Sequence, residues 1–304
     1  MVQRIIGLAG TVLIALLCCP ALADGPTVVT TIKPLHSLAA GVMAGVGTPV
    51  LLVDGAASEH GYALRPSQAA ALSKADLIFW VGPQLETFMI RPLANLSPSA
   101  VQISLSDSAG VRLLPARNAG DLHAGHAAGT ETPSDMHIWL DPDNAAAMVR
   151  DIAAKLQARD PAHAAAYARN AMALEVRLLA RRQQIAARLA AVPPAPYIVF
   201  HDAYQYFENR FGLGPVATVS LDPERPPGAG RIRELRKLIA DKKIVCVFAE
   251  PQFEPRIIDT LVEGAGIKVA VLDPVGAGLE AGGEMYFALL DHLVNALTGC
   301  WAQP

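Results

Sequence analysis

Three of the eight histidines in this chain stand beside short apolar runs, where a side chain has a chemical use. His60 follows the Leu51–Val53 run and its loop, His137 opens the run His137-Ile138-Trp139-Leu140, and His201 ends Tyr197–Phe200. Imidazole is the commonest zinc ligand, and three imidazoles with one more donor complete a tetrahedral site. No short-range motif links the three: the chain has no His-Glu-x-x-His and no paired Cys-x-x-Cys. A lone histidine beside an apolar strand is more often a satisfied core or capping residue, so position by itself leaves both roles open. Three histidines and a water on zinc also make a hydrolytic site, given an open coordination position, a general base and room for substrate. No substrate pocket can be read here, which ranks an enzyme low.

The elements that must position these residues alternate between strand and helix. Val28–Ile32, Pro49–Val53, Asp76–Gly82 and Val101–Leu105 are short apolar runs bounded by Gly, Pro and Asp, with helical stretches between them. Tyr197–Phe200, Val216–Ser220, Ile244–Ala249 and Val269–Leu272 repeat that pattern in the second half, without an internal sequence repeat. Such runs read as parallel sheets covered on both faces. Between the halves, Asp160–Ala190 is rich in Ala, Leu, Arg and Gln, the residues that lose least on entering a helix. Asp160 is expected to cap it, Pro161 to occupy its first position, and Pro193 and Pro194 to stop it.

The expected fold is α/β: two (β/α)4-like lobes, each with a parallel four-stranded sheet, joined by one long helix. The divisions are 24–159 for the first lobe with a loop at 106–135, 160–192 for the helix and 193–304 for the second lobe. Ligands of open parallel sheets bind outside the carboxyl ends of the strands, so the site is expected in the cleft between lobes.

Hydrophobic residues at 52% and charged residues at 17% fit a globular chain with a sizeable core. A net charge of -3 offers no basic field for nucleic acid. Arg231, Arg233, Arg236, Lys237, Lys242 and Lys243 are read as a solvated basic face, and Trp80 and Trp139 as core or cleft wall. Arg4, the apolar run Ile5–Leu17 and Ala21-Leu22-Ala23 describe a secretory signal peptide over residues 1–23. The apolar run falls short of the roughly 20 residues a membrane span requires. Cys18, where a lipobox has a small residue before its cysteine, argues against a lipoprotein. Removal of the signal leaves Cys246 and Cys300, which in an exported chain either pair or remain as two buried thiols.

The wording around the histidines adds to this. Thr31-Ile32-Lys33-Pro34-Leu35-His36-Ser37, Glu59-His60-Gly61-Tyr62-Ala63-Leu64-Arg65-Pro66-Ser67 and Asp76-Leu77-Ile78-Phe79-Trp80-Val81-Gly82 occur in that order. His137-Ile138-Trp139-Leu140-Asp141-Pro142, Phe200-His201-Asp202-Ala203-Tyr204 and Leu272-Asp273-Pro274 follow. Together they resemble the zinc-binding solute receptors of bacterial ABC importers, over essentially the whole chain after the signal. The resemblance implies two α/β lobes joined by one long helix, and a monomer that captures Zn²⁺ in the periplasm and hands it to an inner-membrane ABC permease.

The same resemblance implies the ligands His60, His137 and His201, with the fourth position filled by Glu59, a water or Asp273. Glu250 and Asp273 are expected to orient an imidazole or cap the helices that follow, with Asp273 the stronger candidate. His36 is expected at a helix start or behind a ligand. Zinc-type relatives carry a His- and acid-rich loop before the His-Ile-Trp motif. Here that loop holds only His123 and His126 with few acids, so a strong auxiliary site is not expected. A receptor for manganese or another divalent ion, or a metal-linked adhesin of the same fold, are the related alternatives. Three imidazoles disfavour Mg²⁺ and Mn²⁺ but not Cu²⁺ or Ni²⁺.

Overall fold

A computed structural model describes residues 25–117 and 133–302. The signal segment 1–23 and the loop residues His123 and His126 lie outside the described residues.

The first unit runs β1 (Val28–Thr30), α1 (Lys33–Val42), β2 (Val50–Leu51), α2 (Pro66–Ser73), β3 (Leu77–Trp80), α3 (Ile90–Leu96) and β4 (Val101–Ser104). Its strands form one parallel sheet in the order β2-β1-β3-β4. A short antiparallel pair follows, β5 (Leu114–Pro115) with β6 (Ser134–Asp135), then α4 (Pro142–Arg159) and the long α5 (Ala164–Ala190). The second unit runs β7 (Tyr197–Val199), α6 (Gln205–Phe211), β8 (Ala217–Thr218), α7 (Ala229–Lys242), β9 (Cys246–Ala249), α8 (Pro255–Val262), β10 (Lys268–Val271) and α9 (Met285–Trp301). Its parallel sheet has the order β10-β9-β7-β8. Numbered within its own half, each sheet has the order 2-1-3-4, so the two units share a topology.

Short apolar strands form these sheets because both faces are covered. Val28, Val29, Ile78, Phe79, Ile198 and Val199 are all buried. The long helix buries one stripe, Tyr167, Ala171, Leu174, Leu178, Ile185 and Leu189, at the spacing of an amphipathic helix. That stripe packs on α1, α4 and α9, so helices of both units meet along it. One continuous core contains Val29 and Ile78 from the first sheet, Leu174 from α5, and Phe248 and Leu290 from the second unit. At about 1.5 Å per residue α5 is roughly 40 Å long, enough to run beside both sheets.

Local details correct two sequence expectations about the long helix. The expected single helix from Asp160 opens as a 3-10 turn, Pro161–His163, before α5 begins at Ala164. Asp160 does not cap its main chain; the carboxylate accepts from His163 Nδ1 at 2.7 Å and Tyr167 Oη at 2.8 Å. Pro34 lies in the first turn of α1, where its missing N–H costs nothing. The stretch after β3 is a turn, a 3-10 segment (Thr87–Met89) and then α3. Glu86 shapes that turn, because its buried carboxylate accepts Val81 N–H at 2.6 Å and Gly82 N–H at 3.2 Å. Cys246 and Cys300 are joined, which ties α9 to β9.

Candidate metal centre

His201 lies two residues beyond β7, and Glu250 directly follows β9, the neighbouring strand. These are adjacent carboxyl ends where the strand order of the second sheet reverses, the place such folds reserve for ligands. Glu250 Oε2 lies 2.7 Å from His201 Nδ1, and its Oε1 accepts the His201 N–H at 3.3 Å. His137 is held in the same way. Asp135 on β6 accepts the backbone N–H of His137 at 2.9 Å and lies 2.8 Å from its Nδ1. In both rings the second nitrogen, Nε2, is left to face inward. The remaining pair, Glu59 and His60, lies in the loop between β2 and α2, where Ser58 Oγ accepts the His60 N–H at 3.2 Å.

The four side chains converge. One donor atom from each of Glu59, His60, His137 and His201 lies within 4.8 Å of every other. The Nε2 atoms of His137 and His201 are 3.4 Å apart. Glu59 Oε1 is 3.7 Å from His137 Nε2 and 4.0 Å from His60 Nε2. Glu59, His137 and His201 are buried and His60 is half-buried. Glu59 Oε1 and His60 Nε2 are buried atoms without a hydrogen-bond partner. A buried polar atom left so costs about 1–3 kcal/mol, a cost that a coordinated cation removes. Three imidazole nitrogens and one carboxylate oxygen are a donor set suited to a tetrahedral borderline ion.

Electrostatics divide the cluster. Burial and then the charge of His137 hold His60 down at about 3. Burial also opposes a proton on His137, but the adjoining Asp135 and Glu59 outweigh it and raise the ring to about 10. Burial would raise Glu59, yet the neighbouring His137, His60 and His201 bring it to about 2. Without a metal, the adjoining Asp135 and Glu59 thus favour a proton on His137.

A cavity of about 210 Å³ opens onto the cluster, lined in part by His60, Arg117, His137, His201, Asp202 and Pro223. At its rim Arg117 Nε donates to Asp202 Oδ2 at 3.0 Å and its Nη2 to Glu208 Oε2 at 2.8 Å.

The residues expected behind the ligands are placed differently. Asp273 does not join the cluster. Its carboxylate accepts from Val275 N–H at 3.1 Å, Gly276 N–H at 3.0 Å, Ala277 N–H at 2.6 Å and Gln252 Nε2 at 2.9 Å, all groups of its own half. Glu250, the weaker expectation, is the one that meets an imidazole. Asp135, at the end of the expected 106–135 loop, is a support that sequence reasoning missed; its place two residues before His137 was the available signal. His36 sits in α1, where its Nε2 meets the Pro49 carbonyl at 3.1 Å, away from the cluster. Trp139 is core: it is fully buried and donates Nε1–H to the Pro274 carbonyl at 2.7 Å. Arg231 leaves the expected basic face to donate to the Thr218 carbonyl at 2.6 Å.

Fold and site together define a class: two parallel α/β units beside one long helix, with an imidazole–carboxylate cluster able to hold a metal ion where they meet. The chain belongs to the family described as zinc-uptake complex component A, periplasmic, whose pattern matches residues 28–300. It is 41% identical to the high-affinity zinc uptake system protein ZnuA of Brucella abortus, over 90% of this chain and 91% of that one. It is 37% identical to the protein of the same name from Yersinia pestis, over 90% of each. A solved structure described as the crystal structure of ZnuA superposes with a TM-score of 0.77 at 24% identity, covering 90% of this chain and all of that one, and shows the same fold. Among the described residues, no helix is long and apolar enough to cross a membrane.

Proposed function

We propose that this protein is a periplasmic receptor that binds Zn²⁺ through His60, His137, His201 and Glu59 and delivers it to the permease of an ABC importer. The observation that carries the reading is the convergence of these four donors from both halves of the chain, with two of them unpaired and buried. Membership of a family of periplasmic zinc-uptake components supports it independently. The carboxylates on Nδ1 of His137 and His201 fix each ring and raise the basicity of the nitrogen offered to the ion. Because donors come from both halves, the ion ties those halves together, and a permease can distinguish loaded from empty protein by their relative position. The long helix, packed on both units, limits that change to a small tilt. The reading is of a carrier, not an enzyme, and of a monomer that partners a membrane permease and not nucleic acid. The divisions at 24–159, 160–192 and 193–304 are retained as its two lobes and connecting helix.

Competitive titration of the mature protein with zinc, manganese and copper tests this, alongside His60→Ala, His137→Ala and His201→Ala. One zinc per chain is expected, with zinc held more tightly than manganese. Each variant is expected to lose more than the roughly 10–100-fold that a supporting residue costs. Unchanged zinc affinity in all three variants would sink the reading.

A further inference from the structure

The turn that carries Glu59 and His60 rests on a carboxylate from the other half of the chain. Ser58 Oγ–H donates to Glu224 Oε1 at 2.6 Å, and the same Oγ accepts the backbone N–H of His60. On the other flank Glu224 lies against Gly61, where an added Cβ would stand 2.8 Å from Oε2 and 3.2 Å from Cδ. Glu224 thus touches the residues immediately before and after the Glu59–His60 pair. Its own turn aims it: its N–H donates to Asp222 Oδ1 at 3.1 Å, and Ser220 Oγ–H donates to the carbonyls of Asp222 and Arg225.

The other two imidazoles are held in another way. His137 and His201 are buried on buried carboxylates. Tyr206 of α6 joins their two sides, donating to the Asp135 carbonyl at 2.6 Å and accepting Leu114 N–H at 2.9 Å. The Glu59–His60 loop instead reaches the second half through Glu224, and at its base through Lys33. Lys33 Nζ pairs with Asp54 at 3.0 Å and donates to the carbonyls of Ala277 and Leu279 at 2.9 Å each. Two donors are therefore held by buried carboxylates, and two, the buried Glu59 and the half-buried His60, sit on a tethered loop.

We propose that Glu224 is a positioning residue that latches the Ser58–Gly61 turn onto the second half and so sets the rate at which a bound ion leaves. The proposal rests on the reading of the four side chains as ligands. Release requires Glu59 and His60 to part from His137 and His201, and the Ser58–Glu224 bond is among those that break. Removing it eases departure without altering any donor atom.

The test uses the full mature chain loaded with zinc, with release followed by stopped flow into excess chelator. Glu224→Ala, Ser58→Ala and Gly61→Ala are each expected to release zinc about tenfold faster, the scale of one hydrogen bond to a charged group. Association is expected to stay within about twofold, since interface changes act mainly on dissociation. Gly61→Ala is the most informative. Gly61 is not among the glycines with positive φ, so alanine fits its backbone, and the nearest atoms the added methyl meets are those of the Glu224 carboxylate, which it displaces. Glu224→Gln keeps the size and an acceptor oxygen and is expected to fall between wild type and Glu224→Ala. Melting of the metal-free variants should stay within about 2 °C of wild type, as for surface substitutions generally.

A second readout needs no zinc: peptide-level mass spectrometry of His60 carbethoxylation by diethyl pyrocarbonate, expected to be faster in Glu224→Ala. One zinc bound with release unchanged in all three variants overturns the latch, as does an effect confined to association. Wild-type protein that binds no zinc, or binds it equally well after His201→Ala, overturns the metal-site reading instead. In that event equal carbethoxylation rates still overturn the latch.

Discussion

His201 turns its Nδ1 to the buried carboxylate of Glu250, 2.7 Å away, and so presents Nε2 to Nε2 of His137 at 3.4 Å. The contact fixes the tautomer as well as the ring, because a nitrogen bonded to a carboxylate carries the proton. Glu250→Ala should therefore weaken zinc binding about 10–100-fold while leaving the stoichiometry intact. Asp135→Ala should do the same through His137. Titration of both variants checks this; full affinity in either would show that its ring needs no such support.

Zinc binding should release protons at neutral pH. His137 is raised to about 10 by Asp135 and Glu59 against the opposing effect of burial, so it is protonated at pH 7. Zinc must displace that proton, and its apparent affinity should fall as pH falls. The expected slope is about tenfold per pH unit for one displaced proton, across the neutral range. Calorimetry in buffers of different ionisation enthalpy measures the number directly. About one proton per zinc at pH 7.5 is expected. A value near zero would mean that His137 is already neutral.

Glu86 carries a separate pH dependence. It is fully buried, and burial pushes its carboxyl up to about 7 from 4.5, with Glu59 adding to the effect and hydrogen bonds opposing it. A carboxyl whose folded value is raised supports stability below its unfolded value and loses that support as pH rises through the folded one. The metal-free protein should therefore weaken between about pH 4.5 and 7 on account of Glu86, by on the order of 3 kcal/mol. Glu86→Gln should abolish that loss, so urea midpoints of variant and wild type should diverge at pH 8 and converge at pH 5. Parallel curves would contradict it.

The bond between Cys246 and Cys300 closes a sequence separation of 54. A loop of that length stabilises by about 4 kcal/mol in the chain-entropy model. The double variant Cys246→Ser, Cys300→Ser should lose close to that in denaturant unfolding and still bind zinc, because neither residue approaches the cluster. Loss of zinc binding in a variant that remains folded would show that α9 positions the site.

Much of this protein was legible in its residues. Short apolar runs bounded by Gly, Pro and Asp gave two sets of four strands, because a strand covered on both faces has to be apolar along its whole length. The helix-forming stretch before Pro193 gave the long connecting helix, and three histidines beside strands, with the family wording around them, gave the ligand candidates. Local side-chain competition was less legible. Asp160 bonds His163 and Tyr167 and not the helix end, and Glu86 bonds the turn at Val81 and Gly82. Nothing in either residue's neighbours along the chain announces that choice.

The order of apolar and breaking residues determined by itself which segments become strands and helices, since periodicity and backbone restriction act over a few residues. Which carboxylate supports which imidazole was decided only in three dimensions. Asp273 and Glu250 both end strands of the second sheet, but β9 lies beside β7 and β10 lies beyond β9. That places Glu250 against His201 and leaves Asp273 to its own loop. Hydrogen bonds act over about 3 Å, so contacts of this kind follow strand order in space and not order along the chain.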